Sequence, residues 1–193
     1  MRKIPVLVPI FALCPLVGVH AQSRTVETVI LDQSSLEIKG SSNVNDFDCR
    51  YSEPIMPDTL YHEIEIEPSE VKVKGDNISM YVESFDCGKK GINRDFRKTL
   101  KSNEYPTIDV TLERLIYDDD QPVIAEVLIY LAGISRMYQL DFTSLTQEEG
   151  TNRIHGSQII KMSDFNLEPP KALFGLVKVN DEMTINFTLN VRQ

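Results

Sequence analysis

Apolar and polar residues alternate along most of this chain. Ile64 and Ile66 stand between Glu63, Glu65 and Glu67, and Val71 and Val73 alternate with Lys72 and Lys74. The same period of two runs through Ile78-Ser79-Met80-Tyr81-Val82, Ile108-Asp109-Val110-Thr111-Leu112, Tyr138-Gln139-Leu140-Asp141-Phe142 and Ile185-Asn186-Phe187-Thr188-Leu189-Asn190-Val191. Successive side chains of a strand point to opposite faces, so each segment predicts a strand with one apolar and one wet face. Antiparallel sheet with a single buried side is written this way. Residues 123–131 are apolar on both faces except at Glu126, which predicts a strand whose outer face is partly covered.

Turn residues punctuate the strands. Gly75-Asp76-Asn77, Asp118-Asp119-Asp120-Gln121-Pro122 and Gly133-Ile134-Ser135 each predict a reversal, and Gly40-Ser41-Ser42-Asn43 a further turn. One segment breaks the alternation. Ile92, Phe96 and Leu100 recur every four residues and predict a short helix with one apolar stripe. Asn93 is its expected N-cap, Asp95 falls in its expected first turn, and Tyr105-Pro106 returns the chain to extended backbone. The expected fold class is all-β: an antiparallel lipocalin-like β-barrel of about eight strands with one short helix, with a flattened sandwich as the alternative. A barrel of about eight strands either fills its interior with side chains or holds one small ligand.

The first residues stand apart from this pattern. Met1-Arg2-Lys3 is a positive start, residues 5–19 are apolar, and Val19-His20-Ala21 offers small residues at a cleavage site. The apolar run is too short, and too broken by Pro5, Pro9 and Pro15, to be an anchor. The expectation is a signal peptide at 1–21, one barrel domain at 22–193, and a periplasmic or secreted location. Leu13 before Cys14 argues against a lipoprotein signal.

Charge narrows the partners. The chain carries −9, and loss of Arg2 and Lys3 leaves 18 basic against 29 acidic residues, or −11. Such a surface is ill suited to nucleic acid, whose phosphates demand Lys and Arg. Within it, residues 88–102 hold six cations, Lys89, Lys90, Arg94, Arg97, Lys98 and Lys101, against Asp95 alone. Two readings remain open for this segment: a solvated helix face, or a cationic rim that draws an anionic headgroup or an anionic membrane surface. Cys49 and Cys87 form an even pair in an exported chain; they are either bridged or two free thiols. A bridge would close a loop contributing roughly 3–4 kcal/mol in the chain-entropy model.

Catalytic motifs are lacking. His62 and His155 sit in no metal-ligand spacing, and His62 is read as continuing the Glu-rich wet side of its strand. There is no GxSxG and no Gly-rich phosphate loop before a helix. No catalytic residue, metal site or cofactor is expected. Asn77-Ile78-Ser79 and Asn186-Phe187-Thr188 match the glycosylation sequon, and strand placement disfavours the second.

Taken in order, several segments resemble a known family. Ile92-Asn93-Arg94-Asp95-Phe96 through Tyr105-Pro106-Thr107-Ile108 is similar to the helix and following strand of the YceI-like family, exported polyisoprenoid-binding barrels of bacteria. Leu131-Ala132-Gly133-Ile134-Ser135-Arg136 resembles that family's hairpin, Met162-Ser163-Asp164-Phe165 its late Asp-Phe element, and Asp181-Glu182-Met183-Thr184-Ile185 the start of its final strand. Two places depart from the family: residues 40–49 lack its usual aromatic and His pattern, and Ser163 stands where an Arg commonly precedes Asp-Phe. The resemblance implies a non-catalytic carrier of an isoprenoid or other long-chain amphiphile in an apolar tunnel. The alternative is an envelope interaction protein with a filled barrel. On the carrier reading the tunnel is lined by Phe96 and Leu100 of the helix, Phe47 before it, and Ile108, Val110, Leu112, Leu140, Phe142 and Phe187 of the strands. Phe174 and Leu176 of the loop after Pro169-Pro170 complete that lining, and Arg94, Lys98 and Lys101 meet the headgroup.

Overall fold

The computed structural model describes residues 22–119, 121–148, 150–172 and 176–193. The segment 1–21, Cys14, Leu173 and Phe174 lie outside the described residues.

In chain order the strands are β1 (Gln22–Ile30), β2 (Ser35–Ser42), β3 (Asp46–Tyr51), β4 (Thr59–Ile66), β5 (Glu70–Gly75), β6 (Ile78–Tyr81) and β7 (Phe85–Asp86). After the helix α1 (Lys90–Thr99) come β8 (Thr107–Asp118), β9 (Gln121–Leu131), β10 (Ile134–Glu148), β11 (Thr151–Lys161), β12 (Lys171–Ala172) and β13 (Val177–Arg192). All pairings are antiparallel. Eight strands form a ring, β1-β4-β5-β8-β9-β10-β11-β13, and β13 returns to β1 through Val29 opposite Arg192 and Ile30 opposite Val191.

The ring is whole at one end and open-seamed at the other. β13 is long enough to pair with β1 at its last residues and with β2 over Val179–Thr188, so β1 and β2 lie end to end along it. Ser34 holds the break between them: its hydroxyl accepts from the Asn190 N–H at 3.0 Å and donates to the Leu31 carbonyl at 2.8 Å. Likewise β5 and β6 lie end to end along β8. β10 pairs with β11 only from Phe142 onward, so the first half of β10 and the last half of β11 splay apart. A 3-10 turn at Met162–Phe165 packs into that gap, where Tyr138 stacks on Phe165 with ring centroids 6.2 Å apart. The Tyr138 hydroxyl donates to Asp164 Oδ2 at 2.9 Å, and burial, then the neighbouring carboxylate, pushes the phenol above its ordinary range. α1 covers the same end from another side. Phe96 meets Phe85 at 5.3 Å, and Phe85 meets Tyr51 at 5.1 Å. The main core sits here, with Phe85, Phe165, Met80, Val82 and Cys49 at 2% exposure or less. Cys49 and Cys87 are bridged and tie β3 to the start of the α1 segment.

The structure corrects several expectations. α1 begins at Lys90 with Lys89 as its N-cap residue, so Asn93 is not the cap. The Asn93 side chain instead accepts from the Cys87 N–H at 2.7 Å and donates to Asp86 Oδ1 at 3.0 Å, fastening the loop that precedes the helix. The hydrogen bond from the Asn93 side chain, then that from the Gly88 N–H, lowers the Asp86 carboxyl below its ordinary range. Asp95 consequently falls in the second turn. Gly40, Ser41 and Ser42 belong to β2, and a Cβ on Gly40 would lie 2.4 Å from the Phe47 ring, so the glycine serves packing there and not a turn. The β9–β10 reversal is Ala132-Gly133, both at positive φ, the two-residue geometry that matches strand twist, and Ile134 already opens β10. The outer face of β9 is half-covered as expected, with Tyr105 edge-on to Tyr130 at 6.5 Å.

Candidate functional site

The inward faces of the strands enclose two connected cavities. The smaller, about 230 Å³, lies under α1; the larger, about 830 Å³, fills the closed part of the ring. Leu36, Met80, Val110, Ile129 and Ile185 line both and form a waist between them. The larger cavity reaches the end where the β4–β5, β8–β9 and β10–β11 hairpins meet. There its lining includes Ile66 and Leu145, which are 41% and 37% exposed. Packed protein interiors hold few voids larger than a water molecule, and small-molecule pockets span roughly 300–1,000 Å³. Among the described residues, side chains leave that much of the interior open.

The expected lining residues divide between the chambers. Phe47, Phe96, Leu100 and Ile108 line the small one, Val110 the waist, and Leu112, Leu140, Phe142 and Phe187 the large one. Leu176 lines neither and is 74% exposed; Phe174 lies outside the described residues. Parity explains both the successes and an omission. Ile108, Val110 and Leu112 point inward by simple alternation, but a bulge between Leu112 and Arg114 inserts one residue. Beyond it the inward residues are Leu115 and Tyr117, while Arg114 turns outward to Glu70 and Glu126. A second bulge between Phe142 and Ser144 likewise brings Leu145 inward.

α1 presents Ile92, Asp95, Phe96, Thr99 and Leu100 to the small cavity. Arg94, Lys98 and Lys101 line neither cavity. Arg94 and Lys98 fall on the side of α1 opposite Phe96, Lys101 lies just past the helix end at positive φ, and all three are exposed, Arg94 with a side chain 79% exposed. The charged group that α1 turns toward the interior is Asp95, 3.5 Å from the Arg94 guanidinium. Arg97 folds onto Glu83 at 2.9 Å. Lys89, Lys90, Lys98 and Lys101 have no carboxylate within ion-pair reach among the described residues.

His62 is the correction of most consequence. It was expected on the wet side of β4; it is 8% exposed and lines the large cavity. The sequence contained the signal: His62 has the parity of Ile64 and Ile66, not of Glu63 and Glu65. It is the one buried polar or charged side chain in the lining of either cavity among the described residues. His155 lies on an outward-facing position of β11, with Nδ1 2.9 Å from the Thr188 hydroxyl. No group of three His, Cys, Asp or Glu side chains that could hold a metal ion occurs among the described residues, and no helix among them is long and apolar enough to cross a membrane.

No family model matches this sequence, and no curated protein does. Solved structures do. BcnA of Burkholderia cenocepacia is similar at TM-score 0.63 and 18% identity, covering 86% of this chain and 99% of that one. A polyisoprenoid binding domain from Saccharophagus degradans, implicated in plant cell wall breakdown, is similar at TM-score 0.57 and 14% identity over 88% and 99%. A YceI protein of Campylobacter jejuni is similar at TM-score 0.49 and 13% identity over 100% and 99%. The likenesses to BcnA and to the polyisoprenoid binding domain show that this chain has their fold. The expected resemblance to polyisoprenoid-binding barrels holds at that level.

Proposed function

We propose that the protein is a non-catalytic carrier that holds a long-chain amphiphile, isoprenoid or similar, in its two-chambered interior. The observation that carries this reading is the cavity pair itself: about 830 and 230 Å³ of space walled mainly by aliphatic and aromatic side chains. Burial of each CH₂ contributes about 0.8 kcal/mol, so some ten buried carbons supply about 8 kcal/mol, which corresponds to micromolar affinity. The polyisoprenoid binding domain among the structural neighbours supports the same class of cargo. The size of the cavity weighs against the alternative of a filled barrel acting only through its surface.

Export through the segment 1–21 belongs to this reading, as does a domain at 22–193. For Arg94, Lys98 and Lys101 it assigns an anion outside the cavities: the surface of an anionic membrane, touched in passing, at about 1 kcal/mol per basic residue.

Mass spectrometry of an organic extract of the protein, purified after export from its native host, tests the carrier role. A stoichiometric amphiphile is expected. A clean extract, together with failure to take up any added long-chain lipid, overturns it.

A further inference from the structure

We propose that His62 is the hydrogen-bonding anchor of the large cavity and that it selects a cargo bearing a neutral hydroxyl, not an anionic headgroup. The proposal rests on the carrier reading above.

The position is a built one. The β5–β6 turn folds onto β4 beside His62 through three contacts of Asp76. Its N–H donates to the Tyr61 carbonyl at 3.1 Å, its Oδ2 accepts from the Tyr61 N–H at 2.8 Å, and its carbonyl lies 3.0 Å from His62 Nε2. The turn approaches so closely because Gly75 precedes it; a Cβ there would sit 2.2 Å from the Tyr61 carbonyl oxygen. Glycine and aspartate together thus fix the ring from one side.

The third contact decides the chemistry. A backbone carbonyl only accepts, so Nε2 is the nitrogen that carries the proton. In the neutral ring Nδ1 then holds a lone pair and is an acceptor. Nδ1 has no hydrogen-bond partner among the described residues, and the ring that carries it lines the cavity. The wall next to it is mainly apolar, with Leu60 and Ile64 on its own strand and Val26 and Val73 on the neighbours, while Thr28 and, toward the open end, Arg24 flank Val26 on β1. An acceptor left unmet in such a wall is costly, so a ligand that donates to it is favoured over one that does not. An alcohol O–H donates. A carboxylate, or a phosphate that has lost both protons, is acceptor-only; facing the Nδ1 lone pair, it gives up its hydration without a hydrogen bond in return there.

Depth agrees. His62 lies four residues from Ile66 at the open end, about 13 Å along the strand. A hydroxyl held there is inside the barrel, away from the outward-facing cations of α1.

The test uses the purified protein and displacement of the neutral apolar dye phenylnaphthylamine by hexadecanol, hexadecane and hexadecyl phosphate. Hexadecanol is expected to displace at about 2- to 10-fold lower concentration than hexadecane, the span of one neutral hydrogen bond, and the phosphate to be the weakest of the three. His62→Leu removes the preference for the alcohol over the hydrocarbon, read as the ratio of the two displacing concentrations within the variant; His62→Gln, which keeps an acceptor, retains part of it. Nitrogen NMR of the imidazole is expected to find the proton on Nε2 and Nδ1 bare. Equal displacement by alcohol and hydrocarbon, tighter binding of the phosphate, or a proton on Nδ1 overturns the role of His62 while the carrier reading stands. Failure of all three probes removes the carrier reading itself. If His62→Leu does not fold, the comparison of the three probes on the unaltered protein and the NMR decide.

Discussion

At the α1 end, Phe85, Phe165, Met80 and Val82 are at most 2% exposed; at the hairpin end, Leu112, Leu140, Phe142 and Phe187 point inward from the same kind of strand and are only half-buried. The difference lies in what occupies the space between the walls. Where the ring splays, a helix and a 3-10 turn enter the gaps, and inward side chains meet partners from other elements. Where the ring is closed, no other element among the described residues enters, and inward side chains face a cavity of about 830 Å³. Alternation makes a wall apolar. It does not say whether opposite walls touch. The packed end supplies stability and the hollow end supplies room, within one small chain.

Truncations at the two ends sharpen this contrast most. Phe165→Ala is expected to cost about 3–5 kcal/mol, because a buried ring is lost and its surroundings cannot collapse. Leu140→Ala, which enlarges a cavity already present, is expected to cost less than about 1.5 kcal/mol. Urea denaturation of both variants measures the pair, and equal losses would break the comparison. Next comes the bridge. The double change Cys49→Ala with Cys87→Ala opens a link across 38 residues and is expected to cost about 4 kcal/mol on the chain-entropy model, with dye binding in the large cavity retained below the melting temperature. Loss of dye binding in the folded variant would mean that the two ends are coupled. The smallest effect belongs to the outer face of α1. Replacing Arg94, Lys98 and Lys101 by Glu is expected to shift stability by no more than about 0.5 kcal/mol per site, since all three are solvent-exposed. Co-sedimentation with anionic vesicles is expected to fall and hexadecanol affinity to stay the same. A drop in hexadecanol affinity would return these cations to the cargo site.

Much of this was legible before any coordinates. The inward residues of β13, Ile185, Phe187, Leu189 and Val191, follow from parity alone, as do Ile92, Phe96 and Leu100 from their spacing of four. His62 is legible too: its own place in the period, shared with Ile64 and Ile66, sets its face, not the Glu residues around it. Leu115, Tyr117 and Leu145 were not legible, because a bulge reverses parity and becomes visible only in the pairing with the neighbouring strand. Nor was the start of α1, where Lys89 takes the cap position while the Asn93 side chain reaches back to Cys87 and Asp86.

By itself, then, the sequence determined the strands, their wet and apolar faces, the one helix and the acidity of the surface. Each of these depends on neighbours a few residues away along the chain. Only the tertiary structure decided that one end is packed around the smaller chamber while the other is hollow, and that Asp76 lies against the His62 ring in the wall of the larger one. Those outcomes depend on which strand ends lie beside one another, and residues distant in the chain become neighbours only when the ring closes.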